Sequence, residues 1–209
     1  MRARQFAAIQ QAGSSKEFKF VPHLLSFEHC TSRPARVTVA MPLMEKRHDF
    51  IDALESVSSQ TIADLDLLLV DDGTQSASHE AIADWLERNK DRFNRAIFIK
   101  HEVIAESSAA LNAAFDHADT LHVLVVAPNF RLDPECCANM LAAAAQAATA
   151  VSGHSINADR NAVALISKEA WALSGGFDEI TPDIGAMLRN LEARGLHIDK
   201  IPGIACRWP

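Results

Sequence analysis

The sequence predicts an α/β fold: one domain with a mostly parallel central sheet and helices on both faces. Three observations carry this expectation. Short apolar runs alternate with segments of helical apolar spacing from about residue 36 to residue 148, which is the pattern of strand–helix–strand crossovers. The run Leu67-Leu68-Leu69-Val70 has no polar alternation, as in a strand buried on both faces, and ends in Asp71-Asp72-Gly73-Thr74. A chain of 209 residues that is 48% hydrophobic also has enough apolar surface for the core of one ordinary domain.

Taken in order, residues 1–33 are of mixed composition and are assigned to an N-terminal extension, with the domain proper over 34–209. Arg36 to Met41 alternates and ends at Pro42, giving a first strand and a loop. Asp49 to Gln60 carries Phe50, Ile51, Leu54 and Val57 at helical spacing, and the second strand closes on the acid pair. Ser76 can cap a helix that runs through Glu87 with Ile82, Trp85 and Leu86 inward. Ala96 to Ile99 is a third strand, Glu106 to Ala118 an Ala-rich helix, and Leu121 to Val126 a fourth strand.

Asp133-Pro134 reads as an N-cap followed by proline at the first helical position, opening a helix to about Ala148. A short strand Ala162 to Ile166, a turn Ser174 to Glu179 and a last helix follow. That helix starts at Thr181-Pro182-Asp183, turns Ile184, Met187, Leu188 and Leu191 inward, and stops at Gly195.

Composition removes several classes of function. A net charge of −7 with scattered Lys and Arg does not suit a general nucleic-acid surface. No apolar run reaches the length of about 18 residues that a membrane span requires, and Met1 to Gln5 leads into no apolar segment of a signal peptide, so any membrane association is expected to be peripheral. Cys30, Cys136, Cys137 and Cys206 lack metal-type spacing and read as reduced, buried or half-buried thiols, which suits the cytoplasm. No Gly-x-Gly-x-x-Gly follows any strand, which argues against a dinucleotide fold. His101 and His122 lie near strand ends with no Ser or Cys partner in a recognisable motif, so they read as core or rim histidines.

The acid pair is the first functional signal. In open α/β sheets ligands bind outside the carboxyl ends of the strands, so Asp71 and Asp72 are placed to grip a ligand. Asp72 ahead of Gly73 also suits a turn-forming role. A haloacid-dehalogenase-like phosphatase would need an aspartate where Val70 stands, and a receiver domain would end its third strand in an acid where Lys100-His101 stands.

Six motifs in order resemble the family-2 glycosyltransferases of GT-A fold over residues 36–208. They are Val37 to Pro42, Leu54 to Thr61, Val70 to Thr74, Arg131-Leu132-Asp133-Pro134, Gly175 to Glu179, and Leu188-Arg189 with Arg194-Gly195. The resemblance implies a nucleotide-diphospho-sugar donor, an acceptor hydroxyl and transfer with inversion, in polysaccharide or glycoconjugate assembly. It places the nucleotide on Pro42, Met44, Asp71 and Asp72, and the base at Asp183, the retained second acid of the family's Glu-Asp pair. Asp183 also suits a carboxylate stabilised by a helix N-terminus. Lys46, Arg47 and Arg131 are candidates for the diphosphate, and equally for solvated surface charge.

The family would use Mg²⁺ or Mn²⁺ on an Asp-x-Asp-type motif. Here the matching segment is Val126-Ala127-Pro128-Asn129-Phe130, so Ala127 and Asn129 stand at degenerate metal positions and no metal or other cofactor is expected. This departure keeps open a second reading, a catalytically inactive GT-A-like domain serving as a binding or regulatory module. Phe20 to Leu25 and Lys200 to Ala205 share an apolar-Pro-x-apolar string; the first reads as a chance extended segment or as the tail of an upstream domain of the same kind.

Overall fold

The computed structural model describes residues 23–43, 50–71, 78–102, 107–145, 150–153, 163–177, 184–195, 197–201 and 206–207. Strands β1 (His23–Cys30), β2 (Val37–Leu43), β3 (Leu65–Asp71), β4 (Arg95–His101), β5 (His122–Val126), β7 (Ala150–Gly153), β8 (Val163–Ser167) and β9 (Ile198–Ile201) form one eight-stranded sheet in the order β1-β4-β3-β2-β5-β8-β7-β9. β6 (Arg131–Leu132) pairs with β10 (Cys206–Arg207) in a separate ribbon. The helices are α1 (Phe50–Ser58), α2 (Ser78–Asn89), α3 (Ser107–His117), α4 (Cys136–Ala144), α5 (Lys168–Ser174) and α6 (Ile184–Ala193).

The four central strands β4, β3, β2 and β5 run parallel, while β1 and β8 add antiparallel on either side. All seven residues of β2 and all seven of β3 are buried, because helices cover both faces. On one face α1, α2 and α4 pack Phe50, Leu54, Trp85, Leu86, Cys137 and Met140 against Val39, Leu67, Phe98 and Leu124. On the other, α3, α5 and α6 pack Leu111, Phe115, Trp171, Met187 and Leu191 against Leu68, Ile97, Val125 and Ile166. The predicted fold class stands. Among the described residues no helix is long and apolar enough to cross a membrane.

Several local expectations change. Asp133 does not cap α4, which starts at Cys136 behind Glu135. The Asp133 carbonyl accepts from Gln60 Nε2 at 2.7 Å and from the Cys136 amide at 2.9 Å, and the Pro134 carbonyl accepts from the Thr61 amide at 2.8 Å. This stretch is spent fastening α4 to the end of α1, so the helix begins later. The helix ends at Ala144 rather than near Ala148. Part of the N-terminal extension is a strand: His23–Cys30 lies along β4, with His23 opposite His101 and Cys30 opposite Arg95. Cys30 is exposed rather than buried, while Cys136 and Cys137 are buried as expected.

Helix α5, absent from the sequence reading, is seven residues long. Ser167 caps it by accepting from the Ala170 amide at 3.0 Å, and Gly175 ends it in the left-handed region at φ 78°. The last helix is as expected from Ile184 on, with Ile184, Met187, Leu188 and Leu191 buried and Gly195 at φ 80° beyond its end. The expected Ser76 cap and the Thr181-Pro182-Asp183 start lie outside the described residues.

Candidate active site at the carboxyl edge

Parallel pairing brings the ends of the central strands to one edge. Leu43, Asp71 and Lys100 stand in one row, Leu43 opposite Asp71 and Asp71 opposite Lys100. Pro42 pairs with Val70 beside them. β5 reaches the same edge, with Ala40 opposite Val125, and passes into a turn over Ala127 to Phe130 that is closed by the Phe130 amide on the Ala127 carbonyl at 3.0 Å. Pro42, Asp71, Ala127 and Asn129 are thus gathered on one edge. Met44, Lys46, Arg47, Asp72 and Asp183 lie outside the described residues.

Asp71 is only 2% exposed. A buried carboxylate needs hydrogen-bond donors, and one comes from α2: His79 Nε2 lies 2.8 Å from Asp71 Oδ2. The other ring nitrogen, Nδ1, lies 3.1 Å from Lys100 Nζ. An ammonium can only donate, so Lys100 fixes Nδ1 as the acceptor and leaves the ring proton on Nε2, aimed at Asp71. The result is a Lys–His–Asp chain across three elements. His79 stands in the first turn of α2, where the helix dipole also favours an anion. Linear sequence gave no sign of His79 or Lys100 as site residues, since they meet Asp71 only through the crossover of α2 and the register of β4.

Arg131 leaves the turn on β6 and pairs with Asp52 of α1. Both side chains are about half exposed, 46% and 53%. Its guanidinium therefore carries a partner of opposite sign. The adjacent Leu132 amide donates to Ser56 Oγ at 3.0 Å, so the segment after the turn is tied down onto α1.

The topology also fixes which end of α6 faces this edge. Ile201 pairs with Gly153, Gly153 with Val163, and Val163 with Val126, so β9 ends at the carboxyl edge and begins, at Ile198, on the opposite one. α6 feeds β9 through Gly195. A helix of ten residues spans about 15 Å, so α6 starts at Ile184 toward the carboxyl edge and runs away from it.

The sequence from residue 38 to residue 190 matches the model of glycosyl transferase family 2. The chain belongs to that family. No curated protein matches it significantly in sequence. Among solved structures it is similar to the mannosyltransferase PcManGT from Pyrobaculum calidifontis, in complex with GDP-Man and Mn²⁺, at 17% identity and a TM-score of 0.75, covering 98% of this chain and 63% of that one. It is also similar to S. aureus TarS 1-349, solved among other forms with UDP-GlcNAc, at 13% identity and a TM-score of 0.66, covering 82% of this chain and 57% of that one. The family-2 chain thus spans less than two thirds of either structure and shares the GT-A fold with both.

The family resemblance puts a divalent metal on carboxylates just after β5. The Ala127 to Phe130 turn of this family-2 chain supplies only the Asn129 amide and backbone carbonyls, and among the described residues no group of three His, Cys, Asp or Glu side chains is placed to hold an ion. Asp71, at the end of β3 with β2 between it and β5, is engaged by His79. Among the described residues, then, no set of side chains fits Mg²⁺ or Mn²⁺.

Proposed function

We propose that this chain binds a nucleotide-diphospho-sugar along the carboxyl edge of the sheet and transfers the sugar to an acceptor hydroxyl with inversion, in polysaccharide or glycoconjugate assembly. The observation that carries the reading is Asp71: a buried acid at the end of a central strand, held in a fixed orientation by His79 and Lys100 where a GT-A fold receives its nucleotide. Asp71, Asp72, Pro42 and Met44 are assigned to the nucleoside. Lys46 and Arg47, with Arg131 if it releases Asp52, are assigned to the diphosphate.

In the transfer the acceptor oxygen attacks the anomeric carbon from the face opposite the leaving group. Asp183 takes the hydroxyl proton as the carbon–oxygen bond forms. The bond from the anomeric carbon to the phosphate oxygen breaks, and the nucleoside diphosphate leaves with that electron pair. A single displacement of this kind inverts the anomeric centre. A positioned base contributes roughly 10²- to 10⁴-fold to such a step, and cationic side chains near the leaving phosphates contribute by stabilising the charge that develops there. No step is assigned to a metal. The site is proposed to act from the cytoplasm, in peripheral contact with a membrane where the acceptor is lipid-linked.

The experiment is a transfer assay with radiolabelled UDP-, GDP- and dTDP-sugars against a panel of acceptors, wild type beside Asp183→Asn. Transfer by the wild type that falls at least about 100-fold in the variant supports the reading. Equal rates in the two proteins remove Asp183 as the base. The second reading, a non-catalytic binding module, is favoured by one observation, the missing carboxylates at Ala127 and Asn129. Nucleotide binding without any transfer would select it.

A further inference from the structure

We infer that Asp52 tunes donor affinity by competing with the diphosphate for Arg131; the inference rests on the nucleotide-binding part of the reading above. The sheet order shows where this ion pair stands. From β2 the chain steps outward through β3 to β4, and then returns to lay β5 on the other side of β2. The order thus reverses between β2 and β5, and in open α/β sheets a ligand binds at the carboxyl edge beside such a reversal.

Asp52 and Arg131 flank that point. Asp52 is in the first turn of α1, the helix that follows β2, and Arg131 is in β6, the segment that follows β5. Their pairing therefore joins the two sides of the reversal. The backbone beneath Arg131 is held without it: Arg131 stands opposite Arg207 in the ribbon of β6 with β10, and the Leu132 amide donates to Ser56 Oγ at 3.0 Å. The Arg131 side chain, 46% exposed, keeps the freedom to turn away from α1 while its backbone stays in place.

Three physical features suit the pair to exchange. An ion pair whose two side chains are about half exposed contributes little to stability, so opening it costs little. A guanidinium presents the same planar fork to a phosphate as to a carboxylate, and a diphosphate offers more charge and more acceptor oxygens than one carboxylate does. Asp52 is not stranded when Arg131 leaves, because the N-terminal dipole of a helix favours a carboxylate in its first turn. Lys100, another cation at this edge, is by contrast engaged with His79.

The test is calorimetric titration of UDP, GDP and inorganic pyrophosphate into wild type, Asp52→Asn, Arg131→Gln and the double variant, at about 50 mM and about 500 mM salt. At low salt, Asp52→Asn is expected to bind a diphosphate ligand about three- to fivefold more tightly than wild type, and Arg131→Gln at least about threefold more weakly. With Gln at position 131, the gain from Asp52→Asn should shrink below about 1.5-fold, because Asp52 acts through Arg131. High salt should reduce the gain as well, since exposed charges are then screened.

No gain in Asp52→Asn overturns the inference. So does a gain of the same size with and without Arg131, which would mean that Asp52 merely repels the anion. If Asp52→Asn does not fold, Asp52→Ala decides by the same criteria. Failure of the donor reading looks different: UDP and GDP bind no variant, while pyrophosphate still shows the pattern across the four proteins, which supports the competition for Arg131 by itself. If pyrophosphate and both nucleotides bind none of the four, the inference is overturned too.

Discussion

His79 reaches from the first turn of α2 to Asp71 at the end of β3, Nε2 to Oδ2 at 2.8 Å, and its other nitrogen is held by Lys100 on β4. Three successive elements, β3, α2 and β4, are joined through one imidazole. His79→Ala takes a donor away from a buried acid, an effect worth about 1–3 kcal/mol of stability, and frees its orientation. Chemical denaturation should show that loss, and calorimetric titration with a nucleoside diphosphate should show affinity down by about tenfold. Unchanged stability and affinity would mean that the contact does not hold Asp71 in place.

Asp66 makes the opposite edge of β3 sensitive to pH. It is 6% exposed, its Oδ1 is buried without a hydrogen-bond partner, and burial pushes its carboxyl up to about 6, with the nearby Arg95 charge opposing the rise. The folded chain therefore holds this proton more firmly than the unfolded chain, whose carboxyl titrates near 3.8. The stabilising contribution is complete below the unfolded value and is lost as pH rises through about 6. Asp66→Asn, neutral at every pH, should match wild type near pH 4 and exceed it by about 1–3 kcal/mol near pH 8. Urea denaturation at the two pH values checks this, and a difference that does not change with pH would refute it.

Thiol chemistry should separate the cysteines. Burial pushes the Cys137 thiol up to about 12, which leaves almost no thiolate near neutral pH, whereas Cys30 is exposed at the sheet edge. A thiol reagent on native protein should label Cys30 at least about 100-fold faster than Cys137, as read by peptide mass spectrometry, with the difference disappearing in denaturant. Equal native rates would contradict the burial of Cys137.

Much of the fold was legible because its signals are local. The runs ending at Met41, Val70 and Val126 identify strands buried on both faces, and the spacing of Phe50, Leu54 and Val57, or of Ile184, Leu188 and Leu191, identifies helices. β1 was missed because an edge strand need not be apolar, and its Leu24 and Leu25 are in fact more than half exposed. α5 has barely two turns, too few for a periodic pattern, and only its terminal Ser167 and Gly175 mark it. Asp133-Pro134 misled because a helix-start pair was put to a tertiary use, as acceptors for Gln60 and Thr61.

At the site, Asp71 could be found from its place after an apolar run. His79 and Lys100 could not. Their roles are pairings between α2 and the strand ends, which leave no spacing in the chain.

The account turns on a nucleotide site that works without a divalent metal, and calorimetric titration of UDP and GDP into wild-type protein, once in EDTA and once in Mn²⁺, tests it most directly. The account predicts binding of at least one nucleotide with the same affinity, within about twofold, in both buffers. It also predicts affinity lower by about tenfold in Asp72→Ala, and a new Mn²⁺ dependence when Ala127→Asp and Asn129→Asp are combined. Binding seen only with Mn²⁺, or none of either nucleotide in both buffers, would contradict it.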